Sequence, residues 1–175
     1  MIGWKTGSIL PATVDKCVLV AAPHTSNMDY PIALATLYAA GVRVRFLAKK
    51  SLFKFPLGLL MRVTGGLSVD RSKHNNMVDA MIDMFARNEK LILMIPVEGT
   101  RSYVKEWKSG FYFTALGAGV PIALGYLDYR KKIAGFGELF YPTGNYQKDL
   151  EVIKDYYRQF KARYPEKSSL YQDDR

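Results

Sequence analysis

A histidine and an aspartate stand five positions apart in Pro23-His24-Thr25-Ser26-Asn27-Met28-Asp29, directly after the apolar run Cys17-Val18-Leu19-Val20-Ala21-Ala22. His24 is one of two histidines in the chain. Imidazole is the side chain best suited to take and return a proton near neutral pH. A carboxylate beside it can hold one ring tautomer and stabilise the ring once it is charged. On a continuous helix a spacing of five turns the second side chain about 140° from the first, so the pair would face apart. They converge only if His24 lies on a loop and Asp29 near the start of the next helix. The flanking residues fit that geometry. Thr25, Ser26, Asn27 and Asp29 are N-cap types, and Pro31 suits a first helical turn.

Two more polar clusters follow apolar runs: Asp70-Arg71, and Glu98-Gly99-Thr100-Arg101-Ser102. Arg71 and Arg101 each offer a planar, permanently charged fork able to grip phosphate oxygens in two places. Gly65-Gly66 and Gly99 permit close backbone approach to a ligand. Glu98 is an acceptor that could orient a hydroxyl. A general base, its orienting carboxylate and guanidinium groups for an anion suit transfer onto the hydroxyl of a phosphorylated acceptor.

The elements that must position these groups alternate along the chain. Strands are expected over 17–22, 42–48, 67–69, 91–95 and 121–127, and helices over 29–40, 75–85 and 111–116, the last closed by Gly117 or Gly119. Leu52 to Val63 is helix-like but broken by Pro56 and Gly58, and Lys131 to Phe140 suits one or two edge strands. A terminal helix is expected over about 146–164, with fraying after Pro165. Such alternation argues for an α/β fold, a single domain over 1–175 with a largely parallel central sheet flanked by helices. Parallel sheets carry their chemistry at the carboxyl ends of their strands, where His24, Asp70-Arg71 and Glu98-Arg101 would all fall.

Composition narrows the partners. A net charge of +9 points to an anionic one: a phospholipid surface, a nucleic acid or a phosphorylated substrate. The aromatics are scattered through core positions and not interleaved with arginines, so a nucleic-acid stacking platform is not expected. The single cysteine, Cys17, sits in an apolar run and reads as a small buried hydrophobe. No paired ligand spacing joins His24 and His74 into a metal site. The longest apolar stretch, Tyr30 to Val42, falls short of the ~20 residues that span a bilayer. Pro11, Asp15 and Lys16 interrupt any signal-like N-terminus. The expectation is a cytoplasmic protein, or one on the cytoplasmic face of a membrane.

In this order and spacing the blocks resemble the glycerolipid acyltransferases typified by lysophosphatidic acid acyltransferase, over roughly residues 17–127. His24 to Asp29 looks like the family's catalytic block. Gly66-Leu67-Ser68-Val69-Asp70-Arg71 is similar to the second block, whose arginine is assigned to acceptor phosphate. Glu98-Gly99-Thr100-Arg101-Ser102 resembles the third, whose Glu and Gly are tied to acceptor binding, although Val97 stands where the family usually has proline. Val120-Pro121-Ile122 resembles the fourth, near the acyl-donor side, and Lys49-Lys50-Ser51-Leu52-Phe53 also looks familial. The resemblance implies direct acyl transfer: His24 as general base oriented by Asp29, a lysophospholipid-type acceptor held by Arg71, Glu98, Gly99, Thr100 and Arg101, and no cofactor beyond acyl-CoA or acyl carrier protein as co-substrate. Ser26 is left as a helix cap, and no acyl-enzyme is required. Many relatives carry N-terminal membrane helices that this chain lacks, which implies that membrane attachment is peripheral, at the inner face of the cell membrane, or absent. Lys49, Lys50, Lys54 and Arg62 around Leu52, Phe53, Phe55 and Leu57 suit an anionic membrane or acyl-donor surface. Two alternatives stay open: a lipid hydrolase using the same His–Asp pair, and a non-catalytic basic domain that binds anionic surfaces.

Overall fold

The apolar runs become strands of one seven-stranded sheet, seen in a computed structural model that describes residues 3–69 and 77–171. The strands are β1 (Lys5–Thr6), β2 (Lys16–Ala22), β3 (Arg45–Lys49), β4 (Gly66–Val69), β5 (Leu91–Pro96), β6 (Ile122–Asp128) and β7 (Ile133–Phe140). The helices are α1 (Asp29–Ala39), α2 (Leu57–Val63), α3 (Met77–Arg87), α4 (Gly110–Ala118) and α5 (Tyr146–Arg158). Across the sheet the order is β1-β7-β6-β2-β5-β3-β4. From β6 to β4 every pairing is parallel, and only β7 runs antiparallel to β6.

Both faces are covered. Cys17 and Leu19 of β2 pack toward Leu37 of α1 and Met61 of α2. Val18, Val20 and Ala22 point the other way, against Phe85 of α3, Phe111 and Tyr112 of α4, and Ile153 and Tyr157 of α5. A strand buried on both faces must be apolar at every position, which is why β2 and β5 show as unbroken runs in the sequence. Cys17 is fully buried, and burial pushes its thiol up to about 12, so it holds its proton at neutral pH.

Several boundaries differ from expectation, each for a local reason. Gly41 takes φ +68°, and the Val42 N–H closes back on Leu37 O at 2.9 Å, so residues after α1 finish the helix and β3 begins only at Arg45. Gly119, at φ 65°, ends α4 in the same left-handed manner. The broken stretch before β4 splits into a 3₁₀ turn, Lys50–Phe53, and the short α2. β1 was not anticipated: it is two exposed residues long and pairs parallel to β7, which therefore lies inside the sheet instead of at its edge. α5 stops at Arg158, and the described residues beyond it, up to Tyr171, fold back onto the core where fraying was expected. Two 3₁₀ turns, Pro165–Lys167 and Ser169–Tyr171, bury Ser168 and Leu170. No helix among the described residues is long and apolar enough to cross a membrane.

Candidate active site

Register assembles the site. Ala21 of β2 is level with Pro96 of β5 on one side and Gly125 of β6 on the other. A few residues further on stand His24, Glu98 and Tyr129, so three neighbouring loops meet at one carboxyl end of the sheet.

His24 Nδ1 lies 3.0 Å from Asp29 Oδ2. With its proton directed at the carboxylate, the ring keeps the lone pair of Nε2, which no protein group among the described residues engages. The imidazole is a quarter exposed while Asp29 is buried. Asp29 is held from every side. Oδ2 also accepts from the backbone N–H groups of Thr25 and Ser26, both at 2.9 Å, and Oδ1 accepts from the Tyr129 hydroxyl at 2.6 Å. Burial pushes the carboxyl upward, but the bonds from His24, Tyr129 and Ser26 outweigh it and hold Asp29 below the usual aspartate range. Burial, reinforced by the Asp29 charge, raises the Tyr129 phenol well above its ordinary value, so it stays a donor.

The expected caps work differently. The N-cap of α1 is Met28, with no side-chain cap bond. Asp29 is the first helical residue and reaches back to the loop instead of forward into the helix. Ser26 Oγ accepts from the Met28 N–H at 3.1 Å, and Thr25 Oγ1 accepts from the Tyr164 N–H at 3.2 Å.

Glu98 is 1% exposed and lies beneath the site. Its Oε2 accepts from the His24 N–H at 2.6 Å, and its Oε1 accepts from Ser168 Oγ at 2.8 Å. Both oxygens are therefore committed to protein donors. Burial raises its carboxyl above the ordinary glutamate value, and the bonds from His24 and Ser168 oppose that only in part. Gly99 follows in a tight turn at φ +67°, with Lys108 Cε 2.8 Å from where a Cβ would sit. Thr100 and Arg101 are exposed.

His24 stands at the mouth of a cleft of about 470 Å³ between the sheet and the layer of α1 and α2. Asn27, Asp29 and Arg101 share the mouth, and Leu19, Phe46, Met61, Met94 and Phe136 line the interior. Ala33, Ala134, Gly125 and Gly135, which carry little or no side chain, are part of its wall. Volumes of about 300–1,000 Å³ are typical of small-molecule sites.

The remaining expected residues are distributed as follows. Leu52 lines this cleft, Phe53 is half-buried beside it, and Lys50 is exposed. Val120 and Pro121 are not part of it. They lie at the amino end of β6, with Val120 in the core and the Pro121 carbonyl bonded to the Val18 N–H. Since β6 and β2 are parallel and in register, that end is opposite to the one carrying His24. Arg71 and His74 fall outside the described residues, as does the Lys49 side chain. The end of β4 is three strand spacings from β2, roughly 14 Å along the sheet. Tyr129 and Ser168 were missed by sequence reasoning. Tyr129 follows a predicted strand, so the strand-end rule could have found it; Ser168 carries no sequence signal. Among the described residues no three His, Cys, Asp or Glu side chains cluster as metal ligands would.

A parallel α/β sheet, a strand-end histidine tied to a carboxylate and an apolar cleft thus come together at one end of the molecule. The chain belongs to the Acyltransferase family, whose model matches residues 8–123. The fold is similar to the crystal structure of the 1-acyl-sn-glycerophosphate (LPA) acyltransferase PlsC from Thermotoga maritima. The TM-score is 0.63 at 21% identity, over 87% of this chain and 69% of that one. No curated protein matches the chain significantly.

Proposed function

We propose that the protein moves a fatty acyl group from an acyl thioester, of coenzyme A or of acyl carrier protein, to the hydroxyl of a lysophospholipid or related glycerolipid. The observation that carries this reading is the His24–Asp29 pair at the mouth of an apolar cleft, with Arg101 beside it. His24 Nε2 takes the proton as the acceptor oxygen attacks the thioester carbonyl. The C–O ester bond forms, the C–S bond breaks, and the imidazolium returns its proton to the leaving thiolate. Asp29 keeps Nδ1 protonated and offsets the transient ring charge. The fatty chain lies in the cleft, and Arg101, with Arg71, holds the anionic end of the acceptor. The site of action in this reading is the inner face of the cell membrane, where a water-soluble thioester and a membrane-borne acceptor can meet. The likeness to a 1-acyl-sn-glycerophosphate (LPA) acyltransferase supports a lysophospholipid-type acceptor and a role in building phospholipid.

The test is to incubate the purified protein with labelled acyl-CoA or acyl carrier protein and a panel of lysolipids, and to identify the product by mass. Acylated lysolipid supports the reading; free fatty acid as the sole product would favour a hydrolase. Arg101→Ala is expected to raise the acceptor KM by about 10–100-fold, from loss of a charge-assisted bond, with little change in donor KM. Equal effects on both substrates would remove Arg101 from the acceptor.

Glu98 acts in this reading as a positioning residue that holds the His24 backbone. Its folded pKa is raised, so the ionised form costs stability, and that cost grows as pH rises through the folded value. Glu98→Gln removes the charge yet keeps an acceptor for the His24 N–H and a donor for Ser168 Oγ. Thermal melts from about pH 5 to about pH 8 should show the variant gaining on the parent as pH rises. Transfer should stay within about tenfold of the parent, while Glu98→Ala leaves a buried N–H unmatched and costs about 1–3 kcal/mol. A large rise in acceptor KM in Glu98→Gln would return Glu98 to substrate contact.

A further inference from the structure

The stretch Lys50 to Val63 contains three cations, Lys50, Lys54 and Arg62, and no acidic residue. A surface helix normally turns one apolar side inward and a polar side outward. α2 does not. Gly58 and Met61 face the core, yet Phe55, Leu59 and Val63 stand 96%, 70% and 77% exposed. Leu57 and Leu60 are partly exposed and also line the cleft below His24, so the outward apolar side chains run without a break into the cleft wall. On the other flank Lys50, Lys54 and Arg62 border a second cleft that includes the exposed Ser68 at the open edge of the sheet. None of these cations has an ion-pair partner among the described residues.

We infer that α2 and the turn before it seat the protein on an anionic phospholipid bilayer. Phe55, Leu59 and Val63 enter the acyl region, and Lys50, Lys54 and Arg62 meet lipid phosphates. A bilayer surface is the partner that presents an apolar layer beneath a dense anionic one, which is the order of this face. A second copy of the chain fits poorly, because it would bring the same cations and the same +9 charge against these. Seating does not depend on the acyl-transfer reading, and it can be measured without turnover.

The experiment is co-sedimentation of the full chain with phosphatidylcholine vesicles, with and without phosphatidylglycerol. Wild-type protein is expected to bind the anionic vesicles at least about tenfold more tightly, and to lose binding as salt rises. Phe55→Ser, Leu59→Ser and Val63→Ser should each weaken binding by roughly three- to tenfold. Lys54→Glu with Arg62→Glu should abolish the preference for phosphatidylglycerol. None of the three apolar residues lines the site cleft, so turnover of detergent-dispersed substrate should be unchanged and serves as the folding control. His24→Ala should bind vesicles like the parent, so failure of the catalytic reading and failure of this one remain distinguishable. A folded triple serine variant that binds vesicles as the parent does would overturn the inference. So would a wild-type protein that ignores vesicles but forms a dimer abolished by Val63→Ser.

Discussion

Replacing His24 by alanine is expected to cut kcat/KM for acyl transfer by about 10²–10⁴-fold, the usual contribution of a positioned acid–base group. The fold should survive, because the ring is a quarter exposed and the anchoring bond to Glu98 comes from the His24 backbone, not its side chain. Melting within about 0.5 kcal/mol of the parent would be ordinary for a partly exposed site. Steady-state kinetics with saturating donor, alongside a thermal melt, separate the two effects. A folded variant that still transfers acyl groups would remove His24 from the chemistry, whatever the rest of the site does.

Asp29→Asn should be nearly as costly, for a different reason. The amide can keep its oxygen toward His24 Nδ1 and the Thr25 and Ser26 N–H groups while its nitrogen faces Tyr129, whose hydroxyl can turn and accept. Geometry is then largely kept and the charge is lost, so the imidazolium formed during transfer loses its counter-ion. A fall of about 10²–10⁴-fold in kcat is expected, with KM little altered. The same residue sets an acid limit on stability. Its folded pKa is depressed, so its ionised form stabilises the native state above the ordinary aspartate value, and that contribution is lost as pH falls through the folded value. The stability advantage of the parent over Asp29→Asn should therefore shrink below about pH 4. Tyr129→Phe is the milder companion. It removes the donor on Oδ1 and leaves the orientation of Asp29 to His24 and the loop N–H groups, so kcat should fall by about tenfold or less with KM little altered. A lower melting temperature with an unchanged kcat would reduce Tyr129 to a packing residue.

Local chemistry made much of this chain legible before any coordinates. β2, β5 and β6 are apolar at all but their end positions, Lys16 and Asp128, because a central parallel strand is buried on both faces. α3 declares itself through Met77, Met81 and Phe85 at helical spacing. His24 and Asp29 could be paired from sequence because they are close in the chain and must converge across one loop-to-helix junction. The errors came where a residue's environment is set by distant chain. From sequence Glu98 reads as an acceptor able to orient a hydroxyl, and nothing near it in the chain signals its burial; it is buried because β5 lies beside β2 and the tail returns Ser168 onto it. The same return explains why residues 165–171 pack against the core despite their polar composition. Val120 and Pro121 sit at the end of the sheet opposite His24 for a reason that spacing along the chain does not encode, namely the direction in which β6 runs.

What the amino-acid sequence determined by itself was most of the strands and helices, though not β1 or the terminal 3₁₀ turns, and one hydrogen-bonded pair, since propensity, periodicity and contacts between near neighbours are local properties. What only the tertiary structure decided was the cleft, the Tyr129 bond to Asp29 and the Glu98 support under His24. Each of those depends on which strands lie side by side and in what register, and that is the outcome of packing the whole core at once.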